Sequence, residues 1–205
     1  MNILAIETST LTGSVAITSE TQVIGELTLS VSVRHSERLM PAIDRLFSDA
    51  GMKIADIDLF AVAKGPGSFT GLRIGMAAAQ GLASAAKKPV IGISTLEGLA
   101  VNGLYFSGLI VPVLNAFRGE VYRGIFRSEG NTLIRLQEDA VMSMEALKKE
   151  LESVEKPILL LGDGTEAAIP FKIPRASNLA FLALKKWDEK ACEEPLLPVY
   201  LRQPG

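Results

Sequence analysis

The sequence predicts a two-lobed α/β fold, and three observations carry this prediction. The first half of the chain reads as strand, hairpin, strand, helix, strand, helix, strand, with short apolar runs separated by amphipathic helical patterns. The strand pattern restarts after residues 102–108. Apolar residues make up 48% of the 205 residues, which is enough for a substantial core. We expect a first lobe at 1–103, a smaller second α/β lobe at 104–190, and an extended tail at 191–205.

The elements follow from periodicity and from turn residues. In the predicted first helix, Leu39, Met40, Ile43 and Leu46 form one apolar face, although Pro41 interrupts the pattern. The predicted strands are 2–6, 15–17, 23–29, 59–63, 90–93, 109–114, 121–126, 133–136 and 158–161. The predicted helices are 36–50, 72–86, 95–101, 144–151 and 179–187.

The overall composition excludes several classes of protein. Net charge is −2 and the pI is about 5.6, whereas a chain that binds nucleic acid alone normally carries a basic excess. The single cysteine, Cys192, cannot form an internal disulfide, which fits a reducing compartment. We expect no signal peptide, because the first residues form an apolar strand pattern without a basic region, and no apolar run approaches the roughly 20 residues of a membrane span. We therefore expect a cytoplasmic protein with no membrane contact.

The central stretch is the glycine-rich run from Gly65 to Gly75, between an apolar strand and a helix of small residues. Gly65, Gly67 and Gly71 set a tight structural turn. A glycine turn before a helix N-terminus is one form of anion site, and close packing of helix and strand is the other interpretation. The run has no lysine after Gly71, so it is not a P-loop, and its spacing differs from the dinucleotide fingerprint.

A polar turn after the first strand provides candidates for a vestigial phosphate loop. These candidates are Thr8, Ser9, Thr10 and Gly13, and an ordinary hairpin with self-capping hydroxyls is an equally good interpretation. His35 is the only histidine, which excludes metal sites built on several histidines. No confident cofactor site, metal site or catalytic residue is predicted.

The predicted second helix contains two rows of small residues at every fourth position. The first row includes Gly75 and Ala79, and the second includes Ala77, Gly81 and Ala85. Because glycine inside a helix costs about 0.8–1.0 kcal/mol relative to alanine, such rows indicate close approach of another element, either the sheet or a partner. The expected partner interface comprises Ser36, Leu39, Met40, Ile43, Phe69, Gly75, Ala78 and Ala79.

Five motifs give the chain a resemblance to a known family. They lie at residues 3–10, 35–41, 65–75, 116–122 and 198–202. Together they resemble the bacterial TsaB (YeaZ) family, and the run at 65–75 is the most specific of them. The resemblance implies an actin-like ATPase (ASKHA, ribonuclease H-like) fold with a reduced second lobe.

The resemblance also implies a function. It implies a non-catalytic scaffold subunit in the formation of N6-threonylcarbamoyladenosine beside the tRNA anticodon. The implied partners are a TsaD-like catalytic subunit and a TsaE-like ATPase, with a homodimer when the chain is alone and tRNA contact only through the complex. The catalytic relative binds metal through His-x-x-x-His, whereas Thr95 and Leu99 stand at the matching positions here, and Glu7 replaces the usual aspartate. The alternatives are an ATP-binding phosphotransferase or ATPase of the actin-like superfamily and, third, a glycoprotease-like peptidase.

Overall fold

The structure is a computed structural model that describes residues 1–30, 35–154, 156–166, 172–188 and 196–202. Contacts within the chain divide it into two compact units. Unit 1 consists of Met1–Thr95 and Pro174–Val199, and unit 2 consists of Leu96–Ile173 and Tyr200–Gly205. The expected boundaries at 103 and 190 differ from this division, in which unit 1 ends at Thr95 and resumes at Pro174. The last helix, α5 (Ala176–Asp188), therefore belongs to unit 1.

Unit 1 is built on a five-stranded sheet in the order β3-β2-β1-β4-β5. β1, β2 and β3 are antiparallel neighbours, whereas β4 and β5 run parallel to β1. The strands are β1 (Ile3–Glu7), β2 (Thr12–Thr18), β3 (Val23–Ser30), β4 (Leu59–Gly65) and β5 (Val90–Ser94). All five residues of β1 are buried, so both faces of this strand are covered, as its unbroken apolar sequence predicts.

Helices cover the sheet of unit 1. α1 (His35–Ala50) and α2 (Phe69–Ala86) pack in one apolar cluster with the inward side chains of β1, including Leu4 and Ile6. α1 continues through Pro41, which removes only one backbone donor from the helix. α5 packs against β1, β2, β4 and β5.

A polar network explains why α5 belongs to unit 1. The carboxylate of Glu26 on β3 accepts hydrogen bonds from the backbone N–H and the hydroxyl of Ser177, both at 3.1 Å, and pairs with Arg175. Beside it, Ser14 Oγ accepts a hydrogen bond from Ala176 N at 3.2 Å. The first N–H groups of α5 are therefore satisfied by side chains of the β2–β3 hairpin.

Unit 2 contains a four-stranded sheet in the order β8-β7-β6-β9. Its strands are β6 (Leu109–Phe117), β7 (Glu120–Glu129), β8 (Thr132–Ser143) and β9 (Ile158–Leu161), and its helices are α3 (Thr95–Ala100) and α4 (Met144–Glu152). Two separate apolar clusters surround this sheet, one with Leu99 and Phe126 and the other with Val113 and Leu147. All the strands and helices predicted from the sequence are present, and the largest error is β8, which is much longer than the predicted 133–136.

Candidate functional site

The glycine run packs against the turn that joins β1 and β2. Ser68 N donates a hydrogen bond to Ser9 O at 2.6 Å, and the Thr8 hydroxyl donates to Gly71 O at 2.8 Å. A Cβ atom at Gly67 would collide with Ser9, and one at Gly71 would collide with the carbonyl oxygen of Thr8. The glycines are needed because the backbone of this turn occupies the space where side chains would lie.

The same packing decides between the two interpretations of the glycine run. Thr8 and Ser9 are 1% and 2% exposed, so neither hydroxyl faces a solvent-accessible ligand site. The hydroxyl of Ser68 already caps α2 by accepting a hydrogen bond from Gly71 N at 3.2 Å. A cavity of about 20 Å³ beside Thr8 and Gly13 has room for about one water molecule. The geometry favours close packing over a phosphate loop built from Thr8, Ser9 and Gly13.

Glu7, at the end of β1, is fully buried in unit 1. One carboxylate oxygen accepts a hydrogen bond from Ser9 N at 2.6 Å, and the other has no hydrogen-bond partner among the described residues. Burial raises the pKa of Glu7 to about 7, because the loss of water penalises the charged form more than the hydrogen bonds from Ser9 favour it. The carboxyl group therefore titrates near neutral pH.

The two positions at which the resemblance implies metal ligands in the catalytic relative are fully buried in this chain. Thr95 and Leu99 are both 0% exposed. Within the described part of the chain, no three His, Cys, Asp or Glu side chains are arranged to hold a metal ion. In the same part of the chain, no helix is long and apolar enough to cross a membrane.

Half of the expected interface residues lie in the core of unit 1, which corrects that part of the prediction. Leu39, Ile43, Gly75 and Ala79 are buried. Gly75 lies against the side chain of Thr8, and Ala79 packs in the apolar cluster between α2 and the sheet. These residues cannot contact a partner while unit 1 stays folded.

The exposed part of the two helices defines a different surface. We name it the association face, and it comprises Ser36 and Met40 of α1 with Ala77, Gly81 and Ala85 of α2. The Met40 side chain is 48% exposed, and a Cβ atom at Gly81 would meet nothing within 4 Å. The second row of small residues is therefore the exposed one.

Other residues of the expected interface are partly exposed. Phe69 and Ala78 are half-buried, and the guanidinium of Arg73 lies 3.9 Å from the centre of the Phe69 ring.

The sequence prediction missed Leu11, which is 84% exposed on the β1–β2 turn, and Leu29 at the end of β3. Both line the same small cavity as Arg38 of α1. An apolar residue in a polar turn is the sequence signal that marks Leu11.

Comparisons with known proteins agree with this architecture. The family model described as TsaD, tRNA N6-adenosine threonylcarbamoyltransferase, matches residues 22–187. TsaB of Bacillus subtilis, named a tRNA threonylcarbamoyladenosine biosynthesis protein, is 38% identical over 98% of this chain and 94% of its own length. TsaB of Escherichia coli is 33% identical over 82% of this chain and 73% of its own length. The solved structure of YeaZ from Pseudomonas aeruginosa gives a TM-score of 0.81 with 28% identity, covering 98% of this chain and 99% of that one.

The two α/β units, with a sheet order of β3-β2-β1-β4-β5 in unit 1, define an actin-like fold of the ASKHA class. The identity to the Bacillus relative extends over nearly the whole of both chains. The chain belongs to the TsaB (YeaZ) family.

Two glycines of α2 give opposite expectations for the same substitution. Gly71→Ala is expected to destabilise the chain by roughly 1–3 kcal/mol, because the new methyl group meets the backbone oxygen of Thr8. Gly81→Ala is expected to stabilise it by about 0.8–1.0 kcal/mol, because the site is open and alanine has the better helix propensity. Urea unfolding of both variants measures the difference. Equal effects of the two substitutions would show that Thr8 does not limit the space at Gly71.

The buried carboxyl group of Glu7 makes stability depend on pH. Between the ordinary value of 4.5 and about 7, the folded chain keeps the proton and the unfolded chain releases it. Stability therefore falls as pH rises through this window, by roughly 3 kcal/mol in total. Glu7→Gln removes this titration and is expected to gain stability relative to the parent as pH rises.

Urea unfolding at several pH values from 4.5 to 8 measures the contribution of Glu7. The matched control is Glu37→Gln on the exposed side of α1, which is expected to retain the pH dependence of the parent. A constant difference between Glu7→Gln and the parent across this range would show that Glu7 does not titrate in the folded chain near pH 7.

Proposed function

We propose that the chain is a non-catalytic subunit in the formation of N6-threonylcarbamoyladenosine in tRNA, where it supports a related TsaD-like transferase. The Bacillus and Escherichia relatives, both named tRNA threonylcarbamoyladenosine biosynthesis proteins, support the pathway. The fully buried Thr95 and Leu99 support the absence of a catalytic metal site, because neither supplies an imidazole. A role in the modification of tRNA implies that the chain is located in the cytoplasm.

The observation that carries this proposal is the exposed row of small residues on α2. A glycine inside a helix weakens it, and a Cβ atom at Gly81 would meet nothing within 4 Å among the described residues, so no packing contact offsets this cost there. Small residues at every fourth position let a second helix approach closely. The buried row of α2 packs against the sheet, so the exposed row of α2 is the one that can contact a partner.

The association face fits a helical surface of a TsaD-like subunit and, when that subunit is absent, the same face of a second copy. The exposed Met40, Leu11 and Leu29 side chains add apolar area on and beside this face. A specific interface buries about 1,600 Å² in total, which one face of two helices and their neighbouring loops can supply. A TsaE-like ATPase is the third component that we propose for the complex.

tRNA contact is proposed to occur only through the complex. Lys and Arg number 21 against 23 Asp and Glu, so the isolated chain has little net charge with which to displace counterions from RNA.

An actin-like ATPase is the alternative function, and the geometry beside the glycine run disfavours it. Phosphoryl transfer needs a fixed metal and a charge clamp on the phosphates. The backbone of Thr8 and Ser9 fills the space beside the glycines, and the carbonyl oxygens that it presents there repel anions.

We expect no ATP hydrolysis by the isolated chain. A coupled-enzyme assay with ATP and Mg²⁺ measures hydrolysis, and a reaction without the protein serves as the blank. Turnover on the order of 1 s⁻¹, within the usual range of enzymes, that disappears in Thr10→Ala would overturn the non-catalytic proposal.

Ala77→Trp tests the association face. The indole would stand on the exposed row, so it is expected to leave the melting temperature within a few degrees of the parent and to abolish both self-association and binding to TsaD. The matched control is Thr21→Trp on the exposed turn between β2 and β3. Analytical ultracentrifugation and a pull-down with purified TsaD measure the outcome. If Ala77→Trp binds TsaD as tightly as Thr21→Trp does, the association face is wrong.

A further inference from the structure

A short segment near the end of the chain, residues 196–199, is fixed on unit 1 by contacts at both of its ends. The Leu196 side chain is buried in the apolar cluster that α1 and α2 share with the sheet. The carbonyl oxygen of Leu196 accepts a hydrogen bond from Gln80 Nε2 of α2 at 3.2 Å. At the other end, Val199 N donates a hydrogen bond to Lys64 O of β4 at 2.6 Å. We name residues 196–199 the C-terminal segment.

Two glycines of the sheet make room for the C-terminal segment. A Cβ atom at Gly65 would collide with the carbonyl oxygen of Val199, and one at Gly92 of β5 would collide with the Leu196 side chain. Gly65 also has a φ of +115°, which side chains other than glycine rarely adopt. The position of the segment is therefore built into the strands beneath it.

The fixed backbone presents one large apolar side chain to solvent. Leu197 lies between the two anchors and is 64% exposed. Pro198 follows it and restricts the backbone further, because its ring fixes φ. A side chain on a backbone that is already ordered loses little further conformational freedom when a partner contacts it. Leu197 is thus suited to a protein contact, and no packing within the chain requires leucine at this exposed position.

The hydrogen bond from Gln80 places the C-terminal segment beside the association face. Successive helical residues are about 100° apart, so Gln80 lies roughly 60° around α2 from Ala77. Gln80 is itself exposed. On the opposite side of the exposed row, Ala78 and Leu82 are half-buried and pack against the apolar cluster to which α1 contributes. The exposed row of α2 therefore lies between α1 on one side and the C-terminal segment on the other.

We propose that the C-terminal segment is the third part of the association face, where Leu197 contacts an apolar side chain of the TsaD-like subunit. This inference rests on the proposed function and adds a site residue from the opposite end of the sequence. Met40 and Leu197, 48% and 64% exposed, then flank a floor of small residues. A partner helix that lies along Ala77 and Gly81 is contacted from both sides, which fixes its position across the floor as well as its distance from α2.

Three substitutions of exposed leucines test the contact. Leu197→Asp is expected to weaken binding of purified TsaD about tenfold or more, because the carboxylate would lose water against an apolar side chain. Leu197→Met retains an apolar side chain, and Leu136→Asp, at a 44% exposed leucine of β8 in unit 2, is the matched control. Both are expected to bind within about twofold of the parent, and all three to keep its melting temperature within a few degrees. Isothermal titration calorimetry measures the affinities.

Hydrogen exchange gives a second readout that does not depend on substitution. When TsaD is added to the parent chain, the peptide that contains Leu197 is expected to exchange more slowly, together with the peptide that contains Ala77 and Gly81. Mass spectrometry of the digested complex measures both peptides. Unchanged exchange at Leu197, or equal weakening by Leu197→Asp and Leu136→Asp, would show that the C-terminal segment does not contact TsaD.

Ala77→Trp separates this inference from the proposed function. Loss of TsaD binding in both Ala77→Trp and Leu197→Asp supports a shared face. If only Ala77→Trp loses binding, the C-terminal segment lies outside the contact, and the association face stands without it. If only Leu197→Asp loses binding, the segment contacts TsaD away from α2, and the shared face is wrong. If neither variant loses binding, the association face and this inference both fail.

Discussion

The packing of the glycine run against the β1–β2 turn is the contact on which the arrangement of the rest of unit 1 depends. Gly71 and Gly75 bring the first turns of α2 against Thr8, and the hydrogen bond from Ser68 to Ser9 fixes the entry of the helix. These contacts set the rotation of α2 about its own axis. Because a helix repeats every 3.6 residues, the same rotation carries Ala79 and Ala83 into the core and leaves Ala77 and Gly81 outside.

This arrangement links packing to function in unit 1. In an ATP-dependent protein, a glycine turn before a helix serves the phosphates of a nucleotide. Here the backbone of Thr8 and Ser9 takes that space, so the turn stabilises the fold instead. In the proposed function, a face of α2 rather than its N-terminus contacts the partner.

Much of the fold followed from the sequence, because apolar periodicity and turn residues are local signals. The order of elements and the two-lobed α/β class were predicted correctly, and the motifs identified the family. β8 was underestimated because Gln137, Glu138 and Asp139 are polar, and an edge strand with solvent-facing residues lacks the apolar alternation that marks a strand. The assignment of α5 to unit 1 depends on contacts between residues far apart in sequence, such as Glu26 and Ser177, which no local pattern encodes.

The candidate site was harder to predict than the fold. Both small rows of α2 consist of alanine and glycine, so hydrophobicity cannot tell the buried row from the exposed one, and the prediction chose Ala79 where Ala77 is exposed. The sequence shows that Leu11 is an apolar residue within a polar turn, but it does not show that the side chain is exposed to solvent.

The discontinuous make-up of unit 1 has a consequence for how the chain is made on the ribosome. β1 leaves the ribosome long before α5, which covers it, because residues 96–173 of unit 2 are synthesised between them. Until then, the carboxylate of Glu26 lacks Arg175 and Ser177, and the apolar surface of the sheet lacks its second layer. The nascent chain therefore exposes an unfinished sheet during most of its synthesis, and unit 1 closes only when its last helix arrives.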